Sequence, residues 1–576
     1  MTIIVPRDAA SSGICDSHVG VADLIAEAFS DDTQAWYGRG ADMRPDFLIV
    51  GPTVGIALVS VPSWNASDVI EAGYSGVVLR DGSRHDPVSV MGKIMEGLRL
   101  ELDGVCDADL IRPLFALPGF TPDELAQPAI SDYFMGATVF AAKTMTPTEW
   151  ATGVGACGAL LHRDLIQAIR ASLFPETVFE VRPRAGDPER GSRSKVRIEL
   201  DANQQSVAAN IGSGTTLLTG VAGSGKTLVL AARARHLARL HPDWHIQVLC
   251  YNKTLRVHLR TLIGVEVANV TVDHLHGWRY RMNVSSDKQL EHAVGRGIPA
   301  ERYEAVLVDE VQDFQPVWLK FIQRTLKSNC GGLLMAGDMA QAIYSDGETG
   351  ADSSSDGIQV LDLSVNYRNT EQIGRFAWGA VFGVDSDSDA CGQKVTGRDP
   401  FCIAYTLSGP PVQVAYAASQ AMQARMIVQE LQRLVADEGF AYKDIGVLHG
   451  NWRQGQLLTS ELAKFDVPHM WVSKDKQAKD VPGLGYNAVK VITIHSCKGL
   501  DFSVIFLLGV DALKVPESPR DARDPEAISR LKLVYVGMTR ARDLLYVTYS
   551  KVNPVMRRAL ALGEFCEARQ YPEDFE

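Results

Sequence analysis

The apolar residues of this chain gather in short runs set between amphipathic stretches. In the first part, Asp46-Phe47-Leu48-Ile49-Val50 and Ile56-Ala57-Leu58-Val59-Ser60-Val61 flank a turn at Gly51-Pro52, which predicts a strand pair, and Val88 to Leu102 predicts a helix. Helical periodicity is clear again in Ala159 to Phe174. Beyond Leu200, runs of strand length recur at Thr216–Thr219, Ile246–Cys250, Ala305–Val308, Leu333–Ala336, Ile445–Leu448, Val489–Ile494, Val504–Leu508 and Leu544–Tyr549. Amphipathic stretches separate most of them, so the pattern predicts parallel sheets covered by helices, and roughly 370 residues suffice for two such sheets.

Punctuation divides the chain further. Residues 182–197 hold six basic and two acidic residues among Pro, Gly and Ser, the composition of a linker. Acidic, polar segments at 346–357 and 385–392 predict loops. The expected layout is a small α/β domain over 1–125, a helical connector and basic linker over 126–197, and two sheet domains over 198–360 and 361–576.

A chain of 576 residues is too long for a single core. The first ten residues carry charge and Pro6, and no uncharged apolar run reaches about 18 residues, so a cytoplasmic protein without membrane spans is expected. Nine cysteines without a C-x-x-C pair suggest neither a disulfide framework nor a zinc or iron–sulfur site. A net charge of −12 argues against a surface that coats nucleic acid everywhere, while leaving room for a local basic groove.

Chemistry enters at Gly220-Val221-Ala222-Gly223-Ser224-Gly225-Lys226-Thr227, a complete G-x-x-x-x-G-K-T loop between a strand-like and a helix-like run that opens with Leu228. Its glycines let backbone N–H groups converge on phosphate oxygens, Lys226 reaches the outer phosphates, and Thr227 is placed to ligate Mg²⁺ at a helix N-terminus. Some eighty residues later a buried-type strand ends in Asp309-Glu310. Such a pair divides the labour of nucleotide hydrolysis: Asp309 for Mg²⁺, Glu310 for the attacking water. Asn252-Lys253-Thr254-Leu255 lacks the aspartate that would read guanine, which favours ATP.

From about 200 to 550 these residues resemble the UvrD/Rep-like helicases of superfamily 1. Leu200-Asp201-Ala202-Asn203-Gln204 is similar to the motif in which a glutamine reads adenine, and Asp309-Glu310-Val311-Gln312-Asp313 to D-E-x-Q-D. Gly337 to Tyr344 is similar to G-D-x-x-Q-S-I-Y, implying that Gln341 senses the terminal phosphate. Asn366-Tyr367-Arg368 implies Tyr367 on adenine and Arg368 on the γ-phosphate; Tyr535 to Ala541 resembles Y-V-G-x-T-R-A and makes Arg540 a second arginine finger. Thr493 to Phe502 resembles T-x-H-x-x-K-G-L-E-F, with Asp501 in place of glutamate, on the nucleotide side. The resemblance places Tyr251, Asn252, His276, Tyr344, Thr493 and His495 beside a single strand of DNA, with RNA as the alternative, and implies movement 3′ to 5′. Two RecA-like parallel-sheet domains are the implied fold, with ATP and Mg²⁺ as cofactors.

The N-terminal stretch resembles the nuclease-related domain, a branch of the PD-(D/E)xK nucleases, through Asp46 and Ser63-Trp64. Arg44, Ser60 and Pro62 stand where that pattern carries its other acid, its glutamate and its lysine, so an inactive nuclease-like domain is expected. An adaptor of unrelated ancestry and a domain kept catalytic by Asp31, Asp32 or Asp86 are the other readings.

The core also departs from its relatives. Only 25 residues, Arg279 to Tyr303, lie where a helical subdomain is usual, about 40 precede Val489 where a second is usual, and Ser345-Asp346-Gly347 replaces the W-R-G that carries a base-stacking tryptophan. Two readings stay open: a translocase or helicase on single strands, and an ATPase switch signalling through the N-terminal domain to a protein such as a separate nuclease. DNA repair or defence against foreign DNA is the setting that the resemblance suggests.

Overall fold

The computed structural model describes residues 3–5, 16–29, 33–37, 45–73, 76–155, 161–181, 196–209, 214–251, 253–284, 286–296, 302–328, 330–337, 358–383, 404–472, 486–498, 500–513, 515–516 and 525–570. They form two compact units, one of residues 1–179 with 197–211 and one of residues 180–196 with 212–576.

The N-terminal unit is built on a six-stranded sheet in the order Ile3–Val5, Gln34–Tyr37, Phe47–Gly51, Gly55–Ser60, Ile111–Ala116, Thr138–Phe140. The strand pair read from the sequence stands at its centre, antiparallel, with Phe47 opposite Val59 and Gly51 opposite Gly55. Gly55 takes the left-handed backbone, φ 72°, that the tight turn requires. Phe47, Ile49, Ala57 and Val59 share a core with Val21, Ile25 and Trp150, whereas Leu48, Val50, Ile56 and Leu58 share one with Met91, Ile94 and Ile169. Both faces are covered, which is why these strands are apolar throughout instead of alternating.

The expected helix after Val88 runs from Pro87 to Glu101 and is capped by Asp86, whose carboxylate accepts from Ser89 N at 3.1 Å. The stretch read as a connector from 126 supplies Ile130, Phe134, Ile166, Ile169 and Leu173 to the same core as Trp36 and Leu58. Its helices, Pro128–Tyr133 and Arg163–Leu173, are amphipathic, and such a stripe is stable in water only when covered. Here the N-terminal sheet covers it.

Two large sheets dominate the described residues of the second unit. The first has the order Val270–His274, Ile246–Cys250, Ala305–Asp309, Gly332–Ala336, Thr215–Gly220, Ile358–Leu363, with every neighbour parallel. The second has the order His469–Trp471, Val489–Thr493, Ile445–His449, Phe502–Leu508, Ala541–Tyr549, Val412–Tyr416, Cys566–Gln570, again parallel throughout. The fold is therefore α/β with parallel sheets, as the alternation of runs predicts. In the second sheet Val504, Phe506 and Leu508 face one core and Ile505 and Leu507 the other, so helices are needed on both sides. The strand Ile358–Leu363, which the 360/361 boundary divides, completes the first sheet with Leu363 beside Gly220.

The short segment after Trp278 does not stand apart. Its helix Asp287–Arg296 lays Leu290 into the core of the first sheet beside Trp278, and Asp287 accepts from Arg279 at 2.8 Å and from the Trp318 indole at 3.0 Å. No helix among the described residues is long and apolar enough to cross a membrane.

Candidate nucleotide and strand site

Parallel strands all end on one side, and the candidate groups of the first sheet lie at that carboxyl edge. The strand Thr215–Gly220 passes through Val221-Ala222-Gly223-Ser224-Gly225 into the helix Lys226–Leu240, whose first turn also carries Thr227 and Leu228. Gly223 and Gly225 adopt φ of 83° and 86°, a region that costs other residues about 1–2 kcal/mol. The Lys226 ammonium donates to the carbonyls of Gly220 and Val221, each at 2.8 Å. Thr227 Oγ1 donates to Asp309 Oδ2 at 2.9 Å, so the hydroxyl and the carboxylate expected to share a cation are already side by side.

Asp309 is 2% exposed. Burial, reinforced by the charge of Glu310, pushes its carboxyl up to about 7 in spite of the Thr227 hydrogen bond. A carboxylate so disfavoured gains most from a bound cation, and paired oxygen donors suit a hard one, so the residues fit Mg²⁺. Among the described residues no group of three or more His, Cys, Asp and Glu could hold a metal. Glu310 has the left-handed backbone, φ 56°, rare outside glycine. Desolvation would raise its carboxyl, but the charges of Lys498, Arg540 and Lys226 and a hydrogen bond from Gln312 hold it below the usual range. Glu310 is thereby held ionised more readily than Asp309, which separates the two acids by role.

The second sheet closes the site. Asn366, Tyr367 and Arg368 follow directly on the last strand of the first sheet, and Tyr367 N donates to Gly223 O at 3.0 Å. A Cβ on Gly223 would fall 2.5 Å from Arg368 Cβ and 2.6 Å from Asn366 Oδ1, so only glycine allows this approach. Arg540, 2% exposed, follows the helix Pro525–Met538 and donates through Nε to Val536 O at 3.1 Å. Desolvation and the adjacent Arg540 charge lower the Arg368 guanidinium from its ordinary value. The charges of Asp501 and Glu310 oppose that lowering, and a planar guanidinium fork so placed suits a phosphate anion. Desolvation would raise the Asp501 carboxyl, but the charges of Arg368, Arg542, His258 and Arg540 hold it below the usual range.

Sequence reasoning passes over several residues that this geometry picks out. Lys498 of the second sheet pairs with Asp313 of the first at 2.6 Å, both buried. Burial pushes the Asp313 carboxyl up to about 6, with Glu310 adding to the rise and Lys498 opposing it. Asn366 and Asn369 bond across the halves as well. Asp313, Lys498 and Asn366 stand inside motifs that are plain in the sequence, but a motif does not say which of its members meet.

On the strand side, Tyr251 and His276 follow adjacent strands and meet edge to face with centroids 5.9 Å apart, continuing to Phe314 and Trp318. Thr493, at the carboxyl end of its own strand, donates to Ser496 Oγ at 2.8 Å, and His495 is exposed in the turn between them. Gln204 belongs to the N-terminal unit, where it and Asp201 cap each other: Gln204 N to Asp201 Oδ1 at 2.9 Å, Asp201 N to Gln204 Oε1 at 3.0 Å. Asn252, Gln341 and Tyr344 lie outside the described residues, as do Arg44, Asp31 and Asp32.

In the N-terminal unit, Asp46 Oδ2 accepts from Val61 N at 2.6 Å and from Ser60 Oγ at 3.4 Å. Its carboxyl is raised by burial, against the Val61 hydrogen bond and the charge of His18. Asp86 is occupied as a helix cap and by the Tyr133 hydroxyl at 2.9 Å.

Comparison with known proteins adds to this geometry. Residues 203–346 match an AAA domain family, and residues 473–552 match the UvrD-like helicase C-terminal domain. The ATP-dependent DNA helicase PcrA of Bacillus subtilis is 33% identical over 90 residues, 16% of this chain and 12% of that protein. The ATP-dependent DNA helicase Rep of Buchnera aphidicola is 38% identical over 107 residues, 19% of this chain and 16% of that protein. A probable DNA helicase of Mycoplasma pneumoniae is 24% identical over 263 residues, 44% of this chain and 45% of that protein. In each case the match spans less than half the length of the relative. Nothing in these comparisons bears the nuclease-related resemblance of the N-terminal unit.

Proposed function

We propose that the chain, with a core of the UvrD-like superfamily 1 helicase type, is an ATP hydrolase that steps along single-stranded DNA. The observation that carries this reading is the convergence on Glu310 of Lys226 from one sheet and of Lys498 and Arg540 from the other. ATP is the substrate, and DNA is preferred over RNA because the relatives named above are DNA helicases.

In the proposed mechanism the N–H groups of Gly223 to Thr227 and the Lys226 ammonium bind the β- and γ-phosphates. Thr227 and Asp309 would hold Mg²⁺, which supplies neutralisation of phosphate charge when bound. Tyr367 is assigned to adenine. Glu310, kept ionised by its cationic neighbours, orients the attacking water and takes its proton, and Gln341 is assigned to the terminal phosphate. Arg368 and Arg540 place their guanidiniums against the charge that spreads over the transferring group, which neither sheet can do alone. Binding of ATP draws the halves together and loss of phosphate releases them. A strand held by Tyr251, Asn252, His276 and Tyr344 on one half and by Thr493 and His495 on the other is then passed along, 3′ to 5′.

The use of Leu290 by the core of the first sheet supports a second reading in which the same ATP cycle signals to a protein partner at the N-terminal unit. That unit, under either reading, serves for targeting or docking and not for cleavage. ATP turnover with and without single-stranded DNA or RNA, alongside Lys226→Ala and Glu310→Gln, tests the proposal. Strong stimulation by a strand supports the motor. Turnover that ignores every strand and answers to a protein supports the switch, and none under any condition ends both.

A further inference from the structure

Asn369 is fully buried and makes no use of its amide within its own turn beyond one bond to a neighbour. Its Nδ2 donates to the carbonyl of Thr539 at 3.1 Å and to that of Ala541 at 2.5 Å, the residues on either side of Arg540. Its Oδ1 accepts from Asn366 Nδ2 at 3.2 Å, and the same Nδ2 donates to Ala222 O in the phosphate loop at 2.8 Å. Asn366 Oδ1 in turn accepts from the backbone N–H groups of Arg368 and Asn369, each at 2.9 Å. Both protons of both amides are therefore spent, and only this orientation of each amide satisfies its partners. The carbonyl of Arg540 is fixed independently by Phe502 N at 3.0 Å.

We infer that Asn369 is a positioning residue for ATP hydrolysis, the last link of a two-amide relay that ties the backbone of Arg540 to the phosphate loop through Asn366. The inference rests on the reading of the core as an ATPase in which Arg540 meets the transferring phosphoryl group. Side chains on a helix end can drift by an ångström when their backbone is not held, and a misplacement of that size costs about 100-fold in rate. One amide gripping the carbonyls before and after Arg540 removes that freedom. Because the grip reaches Ala222, any movement of the loop on the phosphates is passed to the guanidinium without a change in the Arg540 side chain itself.

The test uses the full chain and measures steady-state ATP turnover, together with affinity for ADP and for ADP with aluminium fluoride, a mimic of the transferring group. Asn369→Ala is expected to lower turnover about 100-fold and to weaken the aluminium fluoride complex, while ADP affinity stays within about threefold. Added to Arg540→Ala, it is expected to cost nothing further, because its effect is exerted through Arg540. Asn369→Ser, which keeps one small donor, should fall between, and it replaces Asn369→Ala in every comparison if that variant does not fold. Turnover within threefold of the parent, an equal loss of ADP and aluminium fluoride binding, or a full multiplicative loss in the Arg540→Ala background each overturn the relay. A parent chain that turns over no ATP overturns instead the reading on which the relay rests.

Discussion

Asp46 and Asp309 make a natural pair for comparison, one beside a strand of the N-terminal sheet and the other at a strand end of the core. Burial raises both carboxyls. Each accepts a hydrogen bond from a neighbouring element, Val61 N in the first case and Thr227 Oγ1 in the second. The surroundings then diverge. Asp46 is answered by His18, which is itself engaged by the Tyr37 hydroxyl at 3.0 Å and the Val61 carbonyl at 2.8 Å. Asp309 stands beside a second acid and within reach of Lys226, and that second acid is in turn ringed by Lys498 and Arg540. A buried acid at a strand end is thus a structural lock until other charges converge on it, and only the core supplies them.

The contrast is broken most severely by removing a converging charge or the acid on which the charges converge. Lys226→Ala and Glu310→Gln are each expected to lower ATP turnover by about 10³-fold or more, read as phosphate release, with Glu310→Gln still binding ATP. Retention of a tenth of the parent rate in either would show that the convergence on Glu310 has no catalytic meaning.

Next in size is the ion pair between the sheets. Asp313→Ala leaves the Lys498 ammonium buried without its carboxylate and should destabilise the second unit by about 3–5 kcal/mol in denaturant unfolding. Adding Lys498→Met should recover most of that loss, since the uncompensated charge goes with it. If the double variant is as unstable as the single, the pair does not act as a unit.

Asp309 gives a prediction in pH. Its folded-state value of about 7 lies above the ordinary 3.8, so its contribution to stability is complete at low pH and is lost as pH rises through 7. Asp313, raised to about 6, moves in the same direction. Asp309→Asn should therefore raise the unfolding midpoint at pH 8 without Mg²⁺, and the gain should vanish near pH 4. An equal shift at both pH values would mean that the carboxyl is not perturbed.

The smallest effect is expected at the other member of the pair. Asp46→Ala removes the acceptor of Val61 N and should cost about 1–2 kcal/mol in the N-terminal unit, with ATP turnover unchanged. Cleavage of DNA by the parent with Mg²⁺ or Mn²⁺, lost in this variant, would sink the view of Asp46 as a lock.

Much of the core is legible in the sequence because phosphate chemistry needs contiguous residues. A loop that turns its N–H groups inward must carry its glycines in order, and an acid pair at a strand end must follow an apolar run, so Gly220 to Thr227 and Asp309-Glu310 announce themselves in the order of residues alone. The contacts that join the halves are not legible there. Lys498 and Asp313 are 185 residues apart, and Asn369 lies 170 and 172 from the carbonyls it grips. Edge strands escape for a different reason. Cys566–Gln570 carries Glu567, Arg569 and Gln570 on a border where one side needs no cover, and Val270–His274 alternates with Thr271 and Asp273, so neither shows a continuous apolar run. The helices after 126 show as helices, yet nothing in a periodicity states which sheet will bury the stripe.

The whole side chain at Gly223 is one hydrogen atom, and that atom is the clearance between the phosphate loop and the strap that bears Arg368. A methyl group there would act as a spacer of fixed thickness, holding the two walls ajar without touching a charge. Gly223→Ala is therefore a gauge for how wide the gap between these two walls can stand.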